Sequence, residues 1–201
     1  MAPILKGIIL GFSIAAPVGP IGVLCIRKTL DQGRIMGFAA GLGAATADAV
    51  YGSVAALGLS LVMQFLIKQS IWINVLGAVF LLYLAYKTFR APIRHDHAPD
   101  IARLNYMKTF GTTLLLTLTN PLTIVSFVGI FAGMNIASES DQSLFLVLGV
   151  FVGSAIWWLF LISIVGSFRQ MMSTRIMKWI NSLSAFILLG FGMYSLYKTF
   201  M

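Results

Sequence analysis

The chain has 201 residues, of which 59% are apolar and only 10% are charged, with a mean hydropathy of +0.92 and a formal net charge of +8. This composition excludes an ordinary soluble domain and predicts membrane-spanning helices. The single Cys25 excludes an internal disulfide and a cysteine metal cluster. Because the sequence contains no Walker phosphate-binding loop, it also excludes an ATPase within this chain.

Six apolar stretches reach about 18 residues, the length that a transmembrane helix needs. They lie near residues 4–26, 36–66, 71–89, 109–134, 143–166 and 176–198. We therefore predict an all-α membrane protein with six transmembrane helices in a lipid bilayer. The second stretch is the longest, and we expect it to tilt or to extend into the interface.

The first stretch is interrupted by Ala16-Pro17-Val18-Gly19-Pro20. Proline inside a helix removes a backbone hydrogen bond and clashes with the preceding turn. In a bilayer the freed backbone groups must find protein partners or line a watered cavity. We therefore predict a broken helix, with Pro17, Gly19 and Pro20 at a binding site.

The second stretch carries Asp48, the only acidic residue that lies deep in an apolar stretch. A charged group at this depth costs at least about 2.5 kcal/mol, which makes it a candidate functional residue. Its helical neighbours are mostly glycine and alanine, and such small-residue faces pack against other helices. The alternative is a structural aspartate that caps the broken backbone of the first stretch.

The fourth stretch carries a matching interruption, Thr119-Asn120-Pro121, which is followed by Ser126. Corresponding breaks in two halves of a membrane protein indicate a transporter site near the bilayer midplane. A pair of proline kinks with only a packing role is the alternative. Polar side chains beside the proline favour the site, because they need partners at that depth.

The third and sixth stretches resemble each other. Trp72-Ile73-Asn74 precedes Tyr86-Lys87-Thr88-Phe89, as Trp179-Ile180-Asn181 precedes Tyr197-Lys198-Thr199-Phe200. Chance similarity between leucine-rich helices is the alternative to a repeat. Since three spans are an odd number, a repeat would place the second half upside down, which is typical of secondary transporters.

The repeat divides the chain into three parts: a first three-helix repeat at 1–89, a basic linker loop at 90–108 and a second three-helix repeat at 109–201. The linker contains His95, Asp96 and His97. These side chains could bind a divalent metal weakly, but a solvated loop explains them equally. We predict no metal site and no cofactor.

Basic residues concentrate on one side of the predicted topology. The loops after the first, third and fifth stretches hold Arg27, Lys28, Arg34, Lys87, Arg90, Arg94, Arg103, Lys108, Arg169, Arg175 and Lys178, and the other side holds Lys6, Lys68 and Lys198. The positive-inside rule places those three loops in the cytoplasm and both termini outside. The net charge therefore anchors the topology and does not indicate nucleic-acid binding.

These features together resemble the LysE/RhtB superfamily of bacterial amino-acid exporters: the proline-glycine-proline break, one aspartate in a glycine-rich second span, the basic central loop and the Asn-Pro pair. The resemblance covers essentially the whole chain. It implies a 3+3 inner-membrane exporter driven by the proton motive force, and it points to Pro17, Gly19, Pro20, Asp48, Asn120 and Pro121. Branches that export basic amino acids carry a second acid after the Asn-Pro pair, where this chain has Ser126.

We therefore predict export of amino acids, neutral rather than basic, by proton antiport across the bacterial cytoplasmic membrane. Asp48 would serve the ammonium group or the coupled proton. An exporter of a metal or other small ion with the same architecture is the alternative, and a channel or scaffold is a weaker one. We predict no enzyme, because no nucleophile–base pair or second acid lies within a span. Small-residue faces are compatible with a homodimer.

Overall fold

The structure is a computed structural model that describes residues 2–17, 19–56, 70–90, 105–120, 123–124, 126–127, 140–168 and 174–200. Its helices are α1 (Pro3–Ala15), α2 (Pro20–Gln32), α3 (Arg34–Ala56), α4 (Ser70–Phe89), α5 (Tyr106–Leu118), α6 (Ser140–Phe168) and α7 (Thr174–Phe200). The described part of the chain contains no strand, so the all-α prediction is confirmed.

Prolines and caps set the ends of the first helices. Pro3 lies in the first turn of α1 and Pro20 in that of α2, where a missing amide costs nothing. Gly33 ends α2 with φ 96°, a left-handed conformation that favours glycine. Asn105 caps α5 by accepting a hydrogen bond from the Lys108 amide at 2.7 Å. The helix boundaries therefore follow from local sequence.

Helices α1 and α2 meet at an angle of 82°, at the predicted interruption of the first stretch. Within the described residues, Leu144–Phe168 and Lys178–Tyr197 are each long and apolar enough to cross a membrane. The bent α1–α2 pair forms a third such segment if it is counted as one span. Six spans remain a prediction, since residues 57–66 and 128–134 of the predicted spans lie outside the described ranges.

Helix α1 packs along α6 through glycines on both helices. A Cβ atom added to Gly7 or Gly11 would meet a carbonyl oxygen of α6, and one added to Gly149 or Gly153 would meet a carbonyl oxygen of α1. Backbones approach this closely only where side chains are absent. The two helices therefore form a tight pair.

The remaining packing mirrors this pair. Helix α5 packs along α3, where Gly43 faces the carbonyl oxygen of Phe110. Helices α3 and α6 pack against each other, and so do α4 and α7. Each short helix, α1 or α5, thus lies against the long helix of the other half of the chain. The contacts of α3 and α6 place Asp48 at the centre of this arrangement.

Candidate functional site

A cavity of about 90 Å³ lies where the end of α1, the start of α2, α3, the end of α5 and α6 meet. Its wall consists of Ile14, Ala15, Pro17, Gly19, Ile21, Gly22, Ala44, Asp48, Thr117, Asn120, Thr123, Ser126 and Trp158. The cavity therefore collects residues from both interruptions and from the helix that carries the lone acid. Asp48 is the only ionisable side chain among these lining residues.

Asp48 is held by a hydrogen-bond chain from α6. Its side chain is 3% exposed, and its Oδ2 atom accepts a hydrogen bond from Ser154 Oγ at 2.7 Å. Ser154 Oγ in turn accepts one from Trp158 Nε1 at 3.1 Å. Ser154 and Trp158 lie one turn apart on α6, so both reach the same side of α3. The described partner of Asp48 is thus a side chain, and not the backbone of the first stretch that the structural alternative required.

The first interruption brings the start of α2 to the cavity wall. The Gly19 amide donates to the Pro17 carbonyl at 2.9 Å, and the first helical hydrogen bond of α2 runs from the Val23 amide to Gly19 at 3.1 Å. Ile21 and Gly22 line the cavity ahead of that bond, where a helix has amides without intrahelical partners. Such a helix start attracts an anionic group.

The second interruption is organised by Asn120. Its side-chain Nδ2 donates to Thr123 Oγ1 at 2.9 Å, and its backbone carbonyl accepts a hydrogen bond from the Ile124 amide at 3.2 Å. Nearby, the Tyr51 hydroxyl donates to the Leu118 carbonyl at 2.5 Å. The break is therefore stabilised by side chains from its own segment and from α3.

The predicted site residues divide into three groups. Pro17, Gly19, Asp48, Asn120 and Ser126 line one cavity. Pro20 is buried but lies outside the cavity wall, and Thr119 turns its hydroxyl back to the Leu115 carbonyl at 2.9 Å. Pro121 lies outside the described residues.

Sequence reasoning missed Ser154 altogether, and Trp158, which donates to it, is buried at 4% exposure. When the second and fifth stretches are aligned as a repeat, with Gly41 on Gly149 and Gly58 on Gly166, Asp48 pairs with Ile156, a residue that is 45% exposed. A serine one turn before a tryptophan, in the middle of an apolar span, was the available signal. Among the described residues no cluster of three metal-ligating side chains occurs, and His95 and His97 lie outside them.

Comparison with known proteins identifies the family of this chain. The sequence model of the LysE type translocator family matches residues 12–199. The chain belongs to the LysE type translocator family. The match takes in both interruptions, Asp48 and the α6 residues that contact it, so the resemblance predicted from the sequence is confirmed.

Several relatives of this LysE translocator carry functional names. The Bacillus subtilis protein "Putative amino acid efflux protein YcgF" is 31% identical over 205 residues, which cover 96% of this chain and 95% of the relative. The threonine efflux protein of Escherichia coli K12 is 23% identical over 185 residues, which cover 88% of each chain. No solved structure matches the chain at a significant level. The family is one of membrane transporters.

Proposed function

We propose that this LysE translocator is a secondary transporter that exports neutral amino acids across the bacterial cytoplasmic membrane in exchange for protons. The observation that carries the proposal is the cavity at two helix interruptions with Asp48 as its single ionisable lining residue. The efflux names of the two relatives support the direction and the class of substrate.

The cavity offers complementary groups to an amino acid. The amides of Ile21 and Gly22, at the start of α2, suit the substrate carboxylate. Asp48 suits either the ammonium group or a proton. When one carboxylate takes the two ligands in turn, binding of a proton releases the amino acid, and this competition is the simplest form of antiport. One proton that crosses 100 mV supplies about 2.3 kcal/mol, which is more than a tenfold concentration ratio.

The charges of the cavity favour a neutral amino acid over a basic one. A lysine or arginine substrate would bring a second cation, and the described wall contains no second acid. Ser126 lines the cavity at the position where basic exporters of the family are expected to carry that acid. An unpaired cation at this depth would cost several kcal/mol, so a hydroxyl at this position selects against it.

The packing supports an inverted 3+3 repeat. Exchanging α1 with α5, α3 with α6 and α4 with α7 maps the four most extensive helix contacts onto one another: α1–α6 onto α5–α3, and the α3–α6 and α4–α7 pairs onto themselves. Such reciprocity is what a two-fold axis in the membrane plane produces. With the basic loops in the cytoplasm, both termini would then lie outside. The same architecture is compatible with a homodimer that forms through exposed apolar faces.

Efflux from reconstituted vesicles tests the proposal. Vesicles are loaded separately with labelled threonine, leucine, lysine or Zn²⁺, and the outside is acidified so that protons enter as substrate leaves. We expect efflux of threonine or leucine, faster than from protein-free vesicles, and little efflux of lysine. Efflux of Zn²⁺ alone would establish the small-ion alternative, for which the described wall supplies only one carboxylate. Efflux of the amino acids at the protein-free rate would overturn the proposal.

A further inference from the structure

We infer that Ser154 keeps the Oδ2 atom of Asp48 as a hydrogen-bond acceptor whether the acid is charged or neutral, so that the transported proton is carried on Oδ1. The inference rests on the proposed function, because it concerns how Asp48 handles the coupled proton. It makes Ser154 a positioning residue and Trp158 the group that fixes its direction. Ser154 was not predicted from the sequence.

The direction of the chain follows from Trp158. An indole N–H can only donate a hydrogen bond, and Trp158 Nε1 lies 3.1 Å from Ser154 Oγ. The serine oxygen therefore accepts on that side. Its one hydrogen remains for Asp48 Oδ2, 2.7 Å away. The order of donors thus runs from Trp158 through Ser154 to Asp48.

This order restricts where a proton can bind to the carboxylate. A proton on Oδ2 would clash with the hydroxyl hydrogen of Ser154, because both would lie between the same two oxygen atoms, unless the hydroxyl group rotated away. A proton on Oδ1 leaves the hydrogen bond to Oδ2 intact, because a neutral carboxyl group still accepts at its other oxygen. Within the described residues Asp48 has no further hydrogen-bond partner, so Oδ1 remains available for the proton.

Among the described residues, no second ionisable side chain lines the cavity beside Asp48. On its own helix, the Tyr51 hydroxyl is occupied by the Leu118 carbonyl. The described cavity residues of α1, α2, α5 and α6 include no ionisable side chain. Gly41 leaves room for the Trp158 side chain, because a Cβ atom at position 41 would lie 2.6 Å from the Cβ atom of Trp158. The small residues around Asp48 therefore serve this contact as well as helix packing.

One rival arrangement exists. A serine in a helix can turn its hydroxyl to the carbonyl four residues earlier, which for Ser154 is that of Val150. The Ser154 oxygen could then accept a proton carried on Oδ2. In that arrangement Oδ1 would be the C=O oxygen of protonated Asp48, and it would accept no hydrogen bond from Ser154. The two arrangements therefore differ in whether Ser154 donates to the carboxyl C=O.

Infrared difference spectra, recorded as the reconstituted protein is acidified, distinguish a proton on Oδ1 from a proton on Oδ2. A carboxyl C=O that accepts a hydrogen bond vibrates at lower frequency than a free one. We expect a protonated-carboxyl band that Asp48→Asn removes, that Ser154→Ala shifts to higher frequency and that Ser154→Thr restores. Ser195→Ala is the matched control, since this buried hydroxyl on α7 has no described partner, and it should leave the band in place. A band unmoved by Ser154→Ala, or the absence of an Asp48 band, would overturn the inference.

Transport gives a second readout. Ser154→Ala removes the described donor to the carboxylate, and hydrogen bonds to charged groups are worth enough to change a rate by about tenfold or more. We expect efflux driven by a pH gradient to fall by about tenfold, with recovery in Ser154→Thr. If Ser154→Ala does not fold, Trp158→Phe removes the indole donor while filling the space, and it should also shift the band. If the unmodified protein shows no amino-acid efflux, the proposed function is refuted. The infrared result would still decide the role of Ser154.

Discussion

The Tyr51 hydroxyl donates to the carbonyl oxygen of Leu118 at 2.5 Å and so joins the helix that carries Asp48 to the end of α5. Helix α5 ends at this residue, and the last carbonyls of a helix lack intrahelical partners. Within a bilayer such a carbonyl must be satisfied by protein. Tyr51 is buried at 3% exposure, and its ring packs on Phe127 at 5.3 Å between centroids. The interruption is therefore supported from α3.

Tyr51→Phe should weaken this support while keeping the ring. The partly buried Leu118 carbonyl would lose its hydrogen bond, and leaving such a group unsatisfied costs up to about 3 kcal/mol. We expect a lower thermal unfolding temperature in detergent and slower efflux. Tyr83→Phe is the matched control, because Tyr83 is 55% exposed on α4. Equal unfolding temperatures for the two variants would show that the Tyr51 hydrogen bond contributes nothing to stability.

The interruptions and the lone acid could be predicted because their signals are local. Proline breaks a helix wherever it lies, and one aspartate in an apolar span is costly in any fold. The sequence could not predict Ser154 in the same way. Its role depends on how α6 is rotated against α3, and this rotation is fixed by packing between residues far apart in the chain.

The limits of the repeat illustrate the same point. Its alignment pairs Asp48 with Ile156, whereas the hydrogen bond pairs Asp48 with Ser154, two positions earlier and on another face of α6. A repeat relates equivalent positions of two halves, but a contact across their interface joins positions that need not be equivalent. Pro20 and Thr119 do not line the cavity, and their part in substrate binding stays a prediction.

The glycine contacts of α1 and α6 give a prediction about stability. Gly153→Ala would place a Cβ atom against the Ile8 carbonyl group of α1, which is backbone and cannot move aside without shifting the helix. Overpacking of this kind costs about 1–3 kcal/mol. We expect a clear loss of thermal stability and of folded protein in the membrane.

Gly190→Ala provides the comparison, because a Cβ atom at Gly190 would meet nothing within 4 Å. Alanine is favoured over glycine in a helix by up to about 1 kcal/mol, so this variant should be neutral or slightly more stable. If both variants unfold at the same temperature, the close approach of α1 and α6 is not required for the fold.

The orientation of the chain can be tested by labelling. His97→Cys lies in the basic linker, and we expect an impermeant maleimide to label it in inverted membrane vesicles but not in intact cells. Glu139→Cys, in the predicted outside loop, should show the opposite pattern. The native Cys25 is fully buried, so background labelling should be low. Labelling of the linker from outside would show that the predicted topology is wrong.

Asp48→Asn tests the mechanism most directly. Asparagine can accept the Ser154 hydrogen bond through its carbonyl and can point its amide where protonated Asp48 would carry its proton, so the fold should be kept. The asparagine side chain is neutral, so it can neither bind the coupled proton nor form an ion pair with the ammonium group. We therefore expect loss of efflux driven by a pH gradient, together with loss of amino-acid exchange, at an unchanged unfolding temperature. If exchange survives while driven efflux is lost, Asp48 carries the proton alone and the ammonium group binds elsewhere in the cavity. If both activities match those of the unmodified protein, Asp48 is structural and the proposed antiport is wrong.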